Sequence, residues 1–461
     1  MGERLNRVLA QPCDIASLAW FRIMFGSLMC VSALRFVQSG WVDRFFGDRT
    51  FFFKYWGLGF IEPLAVRGMY AVYAAIALCG ALIALGLFYR WAVLGFWLLF
   101  TYAELADVTN YLNHYYLVSL LSGLMCFMPL SAAYSLDSLL RPKLRRDTLP
   151  AWMLYLLRFQ VATVYIGAAL AKCGSDWLVH AQPLNSWLVP QVDLPVVGPY
   201  LALPSVALLA SWGGLLHDFL VPPLLLWRRT RALAFALLLT FHATTSTWFN
   251  IGVFPVLMPM AATVFFDPAW PRRVLSLLGS TAQRSAGSSL PSPARLRPWA
   301  VCALGLYAAL QVALPLRTHL YGGNVLWHEQ GMRFSWRVML RDKHGSISYR
   351  VRLPGGREIR VPPRRYLTSE QEREMSGQPD LILQLAHHIA EDFAARGMSD
   401  VEVRVDALVS LNGRIPAPLI DPQVDLAKIQ DGVGRADWIL PAPREAPPML
   451  LSHSTALRKS S

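Results

Sequence analysis

AWMLYLLRFQVATVYIGAALAKCGSDW, residues 151–177, decides the fold. From about Ala151 to Leu170 it is apolar and long enough to span a bilayer as a helix. Stretches of the same kind recur at about Ile15–Val37, Met69–Phe88, Trp91–Val108, Tyr115–Ala133, Ser205–Trp227, Ala232–Phe249, Val253–Phe266 and Pro298–Leu314. Composition agrees. The 461 residues are 54% hydrophobic and 16% charged, with mean hydropathy +0.36. An ordinary soluble domain is about 25% charged. A cytosolic enzyme or a DNA-binding protein is therefore excluded as the leading idea. The net charge of +13 has a simpler cause than nucleic acid, because Lys and Arg collect on cytoplasmic loops and against anionic headgroups. The partner expected from composition is a lipid bilayer.

The predicted fold is a polytopic all-α membrane bundle of eight or nine spans, followed by a small α+β extracytoplasmic domain. Residues 1–315 form the helical domain, 316–440 the α+β domain and 441–461 a Pro-rich disordered tail. No cleavable signal peptide is expected, because Met1–Asp14 lacks an apolar core. With the N-terminus in the cytoplasm, Arg90, the Arg141-Lys143-Arg145-Arg146 cluster, Arg228-Arg229-Arg231 and Arg272-Arg273-Arg284 all fall inside. The connections Thr109–His114 and Cys173–Pro204 carry no Arg or Lys and fall outside. The basic stretch Trp41–Arg67 is the exception; its part Trp41–Pro63, rich in Phe, reads as an interfacial segment. Val253–Phe266 is short, carries Pro255 and Pro259, and reads as a broken helix or re-entrant hairpin. Thr281–Arg297 is a Ser/Pro/Arg-rich linker.

Beyond Arg317 the pattern changes. Ile347–Val361 is two alternating strands around Pro354-Gly355-Gly356, a hairpin. Pro379–Arg396 has helical spacing and stops before Gly397. Val401–Leu411 alternates again and ends at the turn Asn412-Gly413. Six cysteines lie in or beside the hydrophobic part, none with a CxxC partner, so no metal site is expected. Six Lys against 37 Arg points to a GC-rich bacterial source and an inner-membrane location.

Polar groups within a bilayer are costly and need a reason. Lys172 ends an apolar run in a chain that otherwise prefers Arg. A desolvated Lys can act as a base, whereas Arg keeps its proton; the alternative is a snorkelling cation at the outer interface. Asn113 and His114 start the fourth span, either as ligand-binding groups or as a helix cap and an interfacial belt. His242 lies in an apolar span, where an interhelical hydrogen bond is the competing explanation. Asp218 is an intramembrane carboxylate expected to pair with His217 or a neighbouring helix. Convergence of such groups on one face is how a bundle builds a site.

These residues carry a family resemblance. NHYYLVSLL…YSLDSLL, VYIGAALAKCGSDW, FHATTSTWFNIGVFPVLM with DPAWPRR, GMRFSWRVMLR and NGRIPAPLIDPQVDL resemble, in order, segments of the vitamin K-dependent gamma-glutamyl carboxylases, with their HTTM membrane domain. The resemblance runs from about Asp14 to Leu440. It implies an integral membrane carboxylase–epoxidase, in the carbon–carbon lyase class. Such enzymes deprotonate reduced vitamin K, add O2 to form a strong alkoxide base, and remove the γ-hydrogen of a protein glutamate. The carbanion captures CO2, giving γ-carboxyglutamate, and the quinone leaves as its epoxide. By this resemblance Lys172 is the base, catalytic together with His114, while Asn113, His114 and His242 bind the cofactor. Menaquinol or phylloquinol is the implied cofactor, menaquinol being the one a bacterium supplies, and a glutamate-containing peptide is the implied partner. The family's SWDMMVHSR reads SWRVMLRDK here, so Arg341 and Lys343 stand where a His and an Arg would bind glutamate. Two alternatives remain: quinol epoxidation coupled to a different acceptor, or a non-catalytic maturation scaffold. The oligomeric state is not legible.

Overall fold

The computed structural model describes residues 2–249, 251–278 and 295–448. Among the described residues, five helices are long and apolar enough to cross a membrane: Ala16–Gln38, Val66–Leu85, Trp152–Ala171, Pro204–Leu226 and Pro298–Leu320. Shorter helices Tyr89–Leu105, Asn113–Met125, Arg231–Trp248 and Phe254–Ala262 complete the bundle. The first two long helices pack so closely that a Cβ on Gly26 would stand 2.4 Å from the backbone nitrogen of Ala84. A Cβ on Gly80 would stand 2.7 Å from that of Cys30. Lipid gives helices no hydrophobic reason to associate, so small residues that admit close backbones supply the packing.

Hydrogen bonds identify the two ends of the bundle. At one end Ser17 N donates to Pro268 O at 3.0 Å, Arg272 pairs with Asp14 at 2.9 Å and Asp147 at 3.3 Å, and Asn6 bonds Leu296. The C-terminal domain sits on the opposite end, against the loops that follow Gln38, Leu105 and Ala171. The segment read as a broken helix runs from Phe254 through a 3-10 turn at Thr263–Phe265. Leu257, Met258, Ala261, Ala262 and Val264 are fully buried. Its last carbonyls are satisfied by Arg158, whose Nε donates to Val264 O at 2.8 Å and Nη2 to Phe266 O at 3.0 Å. Enclosure by protein makes such an interrupted backbone tolerable at membrane depth.

The C-terminal domain is a four-stranded antiparallel sheet with strand Lys343–Arg352 paired to Glu358–Val361 on one side and to Glu402–Leu411 on the other. Ala417–Pro418 completes it after the Asn412-Gly413 turn, where both residues have positive φ. Val403, Val405, Val409 and Leu411 point inward in strict alternation. Helix Pro379–Ala395 covers that face through Leu381, Leu385, Ile389 and Phe393. It starts on Pro379 and closes at Gly397, with Met398 N bonded to Phe393 O.

One expectation needs correction. Trp41–Pro63 is not mainly an interfacial segment. Phe53 is fully buried and joins the core of the C-terminal domain with Phe51 and Tyr55, while Trp56 and Phe60 stay exposed. Its cations explain the break in the charge rule, because each meets a carboxylate. Arg49 pairs with Asp107 at 2.8 Å, both fully buried, Arg44 with Glu370 at 3.0 Å and Lys54 with Glu62 at 2.8 Å. In the Pro-rich stretch, Pro448 packs beside Gly413 and its carbonyl accepts a bond from Gln182. Residues 449–461, and most of the predicted linker at 279–294, lie outside the described residues.

Candidate functional site

A cavity of about 570 Å³ opens among helices Trp152–Ala171, Pro204–Leu226 and Arg231–Trp248, with Val338 and Met339 of the C-terminal domain on its wall. Carbon lines most of it. The polar groups form two small chains. Lys172 Nζ donates to Asp218 Oδ2 at 2.7 Å, and His217 Nδ1 meets Asp218 Oδ1 at 3.0 Å. Tyr165 Oη lies 3.0 Å from His242 Nε2. Lys172 caps the helix that carries it, and its Nζ sits 5.3 Å from the Trp177 ring centroid. His217 stacks on Phe241, with ring centroids 3.8 Å apart. Trp177 is fixed in turn by an indole bond to Ser211 O at 2.7 Å. Asp218 thus pairs with both His217 and a neighbouring helix. Lys172 is buried as expected, but its ammonium is engaged by a carboxylate rather than standing alone in an apolar end.

A second cavity, of about 610 Å³, holds Asn113 and His114 together with Arg35, Glu104, Arg373 and Glu374. Ile251, Phe254, Val338 and Met339 line both cavities and separate them. The Phe254 ring lies 5.5 Å from His242 on one side and 6.0 Å from His114 on the other. The structure therefore brings Lys172 and His242 together and sets Asn113 and His114 across a thin wall. Asn113 is not the helix cap: Leu112 holds that place. The Asn113 amide instead accepts from Tyr111 Oη at 3.0 Å and donates to Arg337 O at 3.2 Å. Gly252, at φ +61°, leaves room for the His114 ring, which a Cβ would approach to 3.4 Å.

Arg341 and Lys343 line neither cavity. Both are held by Glu329, Lys343 at 3.1 Å, and Lys343 also donates to Trp327 O. Burial pushes the Lys343 ammonium down to about 8 against the pull of Glu329. Two cations thus share one carboxylate, and neither borders the two cavities. Nothing in the local sequence signals this, because Glu329 lies a dozen residues upstream. Tyr165 and the cavity-facing role of His217 were likewise invisible, since both depend on which helices adjoin.

One further contact ties the domains. Arg414 grips Asp176 with two bonds, of 2.7 and 2.6 Å, and Asn412 adds a third at 2.9 Å. Burial opposes the charge on Asp176, but these donors win and hold its carboxyl below the usual range.

Fold and site define a membrane-embedded helical protein with an apolar cofactor-sized cavity under a docked α+β domain. Residues 10–270 match the HTTM domain, and residues 296–445 match the lumenal domain of vitamin K-dependent gamma-carboxylase. The chain belongs to the vitamin K-dependent gamma-carboxylase family. No solved structure matches it. The residues present fit the family's hydroquinone cofactor. The first cavity has the size range of small-molecule sites, and it carries two buried imidazole nitrogens, His217 Nε2 and His242 Nδ1, without partners among the described residues.

Proposed function

We propose that this protein couples oxygenation of a reduced naphthoquinone, of the menaquinol type, to carboxylation of a glutamyl side chain. The observation that supports it is the pair of adjoining cavities, one apolar and one more polar, which share Ile251, Phe254, Val338 and Met339 in their linings. Vitamin K hydroquinone, when bound, supplies the reducing power and the strong base of the reaction. Lys172 holds or accepts a proton at Nζ, and Asp218 fixes that atom at the cavity wall. Asp218 also sets a condition: Lys172 must shed a proton before it can take one. The Tyr165–His242 pair, Trp177 and Phe241 shape the cavity and exclude water, which strengthens every charge interaction inside. Asn113 and His114 line the second cavity, where Arg35, Arg44 and Arg373 stand among Glu104, Glu370 and Glu374 and would meet a substrate carboxylate. That cavity adjoins the C-terminal domain, so the peptide would arrive from the extracytoplasmic side, as the name of the matching lumenal domain also suggests.

The test uses purified protein in nanodiscs with menaquinol, O2, CO2 and a Glu-rich peptide. Mass spectrometry should find the carboxylation mass gain and the quinone epoxide together. A second reading, quinol epoxidation with another acceptor, is favoured by the engagement of Arg341 and Lys343 with Glu329. Epoxide without peptide carboxylation would select it. Neither product would leave a non-catalytic scaffold.

A further inference from the structure

We infer that His217 selects the reduced over the oxidised form of the ring that occupies the apolar cavity, by accepting a hydrogen bond from its hydroxyl. The inference rests on the naphthoquinol reading above, and the test separates the two. The carboxylate of Asp218 can only accept hydrogen bonds. One of its oxygens takes the Lys172 ammonium at 2.7 Å, and the other faces His217 Nδ1 at 3.0 Å. Nδ1 therefore carries the hydrogen. In a neutral imidazole the other nitrogen is then a bare acceptor. That nitrogen, Nε2, is buried and has no partner among the described residues. The ring cannot easily turn away, because it is stacked on Phe241 at 3.8 Å and 15° and meets Tyr165 edge-on at 5.9 Å.

A lone pair in an apolar cavity asks for an O–H or N–H donor. A hydroquinone hydroxyl provides one. A quinone carbonyl has only lone pairs, so it would set acceptor against acceptor. A site built around a buried polar group rejects a ligand that leaves that group unpaired far more strongly than it rejects a change of size. His217 thus keeps the cavity for the form that still carries reducing equivalents.

The experiment measures binding rather than turnover. Anaerobic menadiol and menadione are titrated into the protein in nanodiscs, following quenching of tryptophan emission. The wild type should bind the quinol at least about tenfold more tightly than the quinone. His217→Leu and His217→Phe, which keep the apolar packing, should bring that ratio close to one. Asp218→Asn, whose amide can donate to Nδ1 and move the ring hydrogen to Nε2, should shift preference toward the quinone. Imidazole ¹⁵N NMR of the wild type, with His217 assigned by its through-space contacts to the stacked Phe241 ring, should show an unprotonated Nε2 whose resonance moves on menadiol addition. If both His217 variants bind both ligands with the wild-type ratio, the inference is overturned while the naphthoquinone reading stands. A protonated Nε2 in the free protein overturns it as well, and this arm decides the matter if the variants do not fold. Wild-type protein that binds neither ring overturns the naphthoquinone reading, and the inference with it.

Discussion

Lys172 shows what one residue can and cannot declare. Its place at the end of an apolar run marks it as costly, and cost asks for a function. Its partner lies on another helix, 46 positions away. Lys172→Arg should keep the ion pair to Asp218 and the fold, yet abolish epoxide formation, because guanidinium does not give up its proton. Wild-type epoxidation by that variant would reduce Lys172 to a structural cation. His114 lies across the Phe254 wall, so its loss should separate the two half-reactions. His114→Ala should lower peptide carboxylation by at least about tenfold, the scale of a general acid–base or positioning contribution, while epoxide still forms. Equal loss of both products would place His114 with the quinol instead.

At the scale of elements, hydropathy locates apolar segments well and measures them less well. The regions around Ile15–Val37 and Ala151–Leu170 are single long helices in the structure. The stretch Tyr115–Ala133 is a helix only to Met125, followed by turns. What holds the first pair of helices together is the absence of side chains at Gly26 and Gly80. Gly80→Ala places a Cβ within 2.7 Å of backbone that cannot yield cheaply. It should destabilise the bundle by about 1–3 kcal/mol, as overpacking does, read as a lower midpoint in detergent unfolding. An unchanged midpoint would mean that the two helices separate without cost.

For the whole molecule, the decisive contact is the clamp of Arg414 and Asn412 on Asp176. Asp176 is followed by Trp177, whose ring lies beside Lys172, so the C-terminal domain is mechanically linked to the apolar cavity. Asp176→Asn leaves Arg414 without its charge partner and should weaken docking by about 3 kcal/mol, seen as faster hydrogen exchange in the 173–203 loop. The pH dependence follows from the lowered carboxyl value. Its stabilisation is present above the ordinary carboxylate range and is lost as pH falls through the lower, folded value. Protection factors in that loop, corrected for the intrinsic pH dependence of amide exchange, should therefore be flat from about pH 5 to 8 and fall only in stronger acid. A fall near pH 6 would point to a histidine. The arrangement of ends also predicts that alkaline phosphatase fused after Pro448 is active and a cytoplasmic reporter there is silent; the reverse would redraw the topology.

The sequence by itself determined the class of the protein. Apolar runs, basic loops and the alternation of Val403, Val405 and Val409 are one-dimensional consequences of burial and helix or strand period, so they can be read without coordinates. The family resemblance was legible for the same reason, being carried by contiguous segments in order. The tertiary structure decided the site. It joined Lys172 to Asp218 and His217, put Phe254 between two histidines expected to act together, and set Arg341 and Lys343 on one carboxylate, Glu329. It also turned the basic, aromatic strap after Trp41 from a membrane-surface segment into a docking surface. Each of these depends on which helices and loops adjoin, and on which carboxylate each cation meets. Ion pairs and hydrogen bonds act over a few ångströms in space whatever their separation along the chain, and no local pattern encodes that proximity.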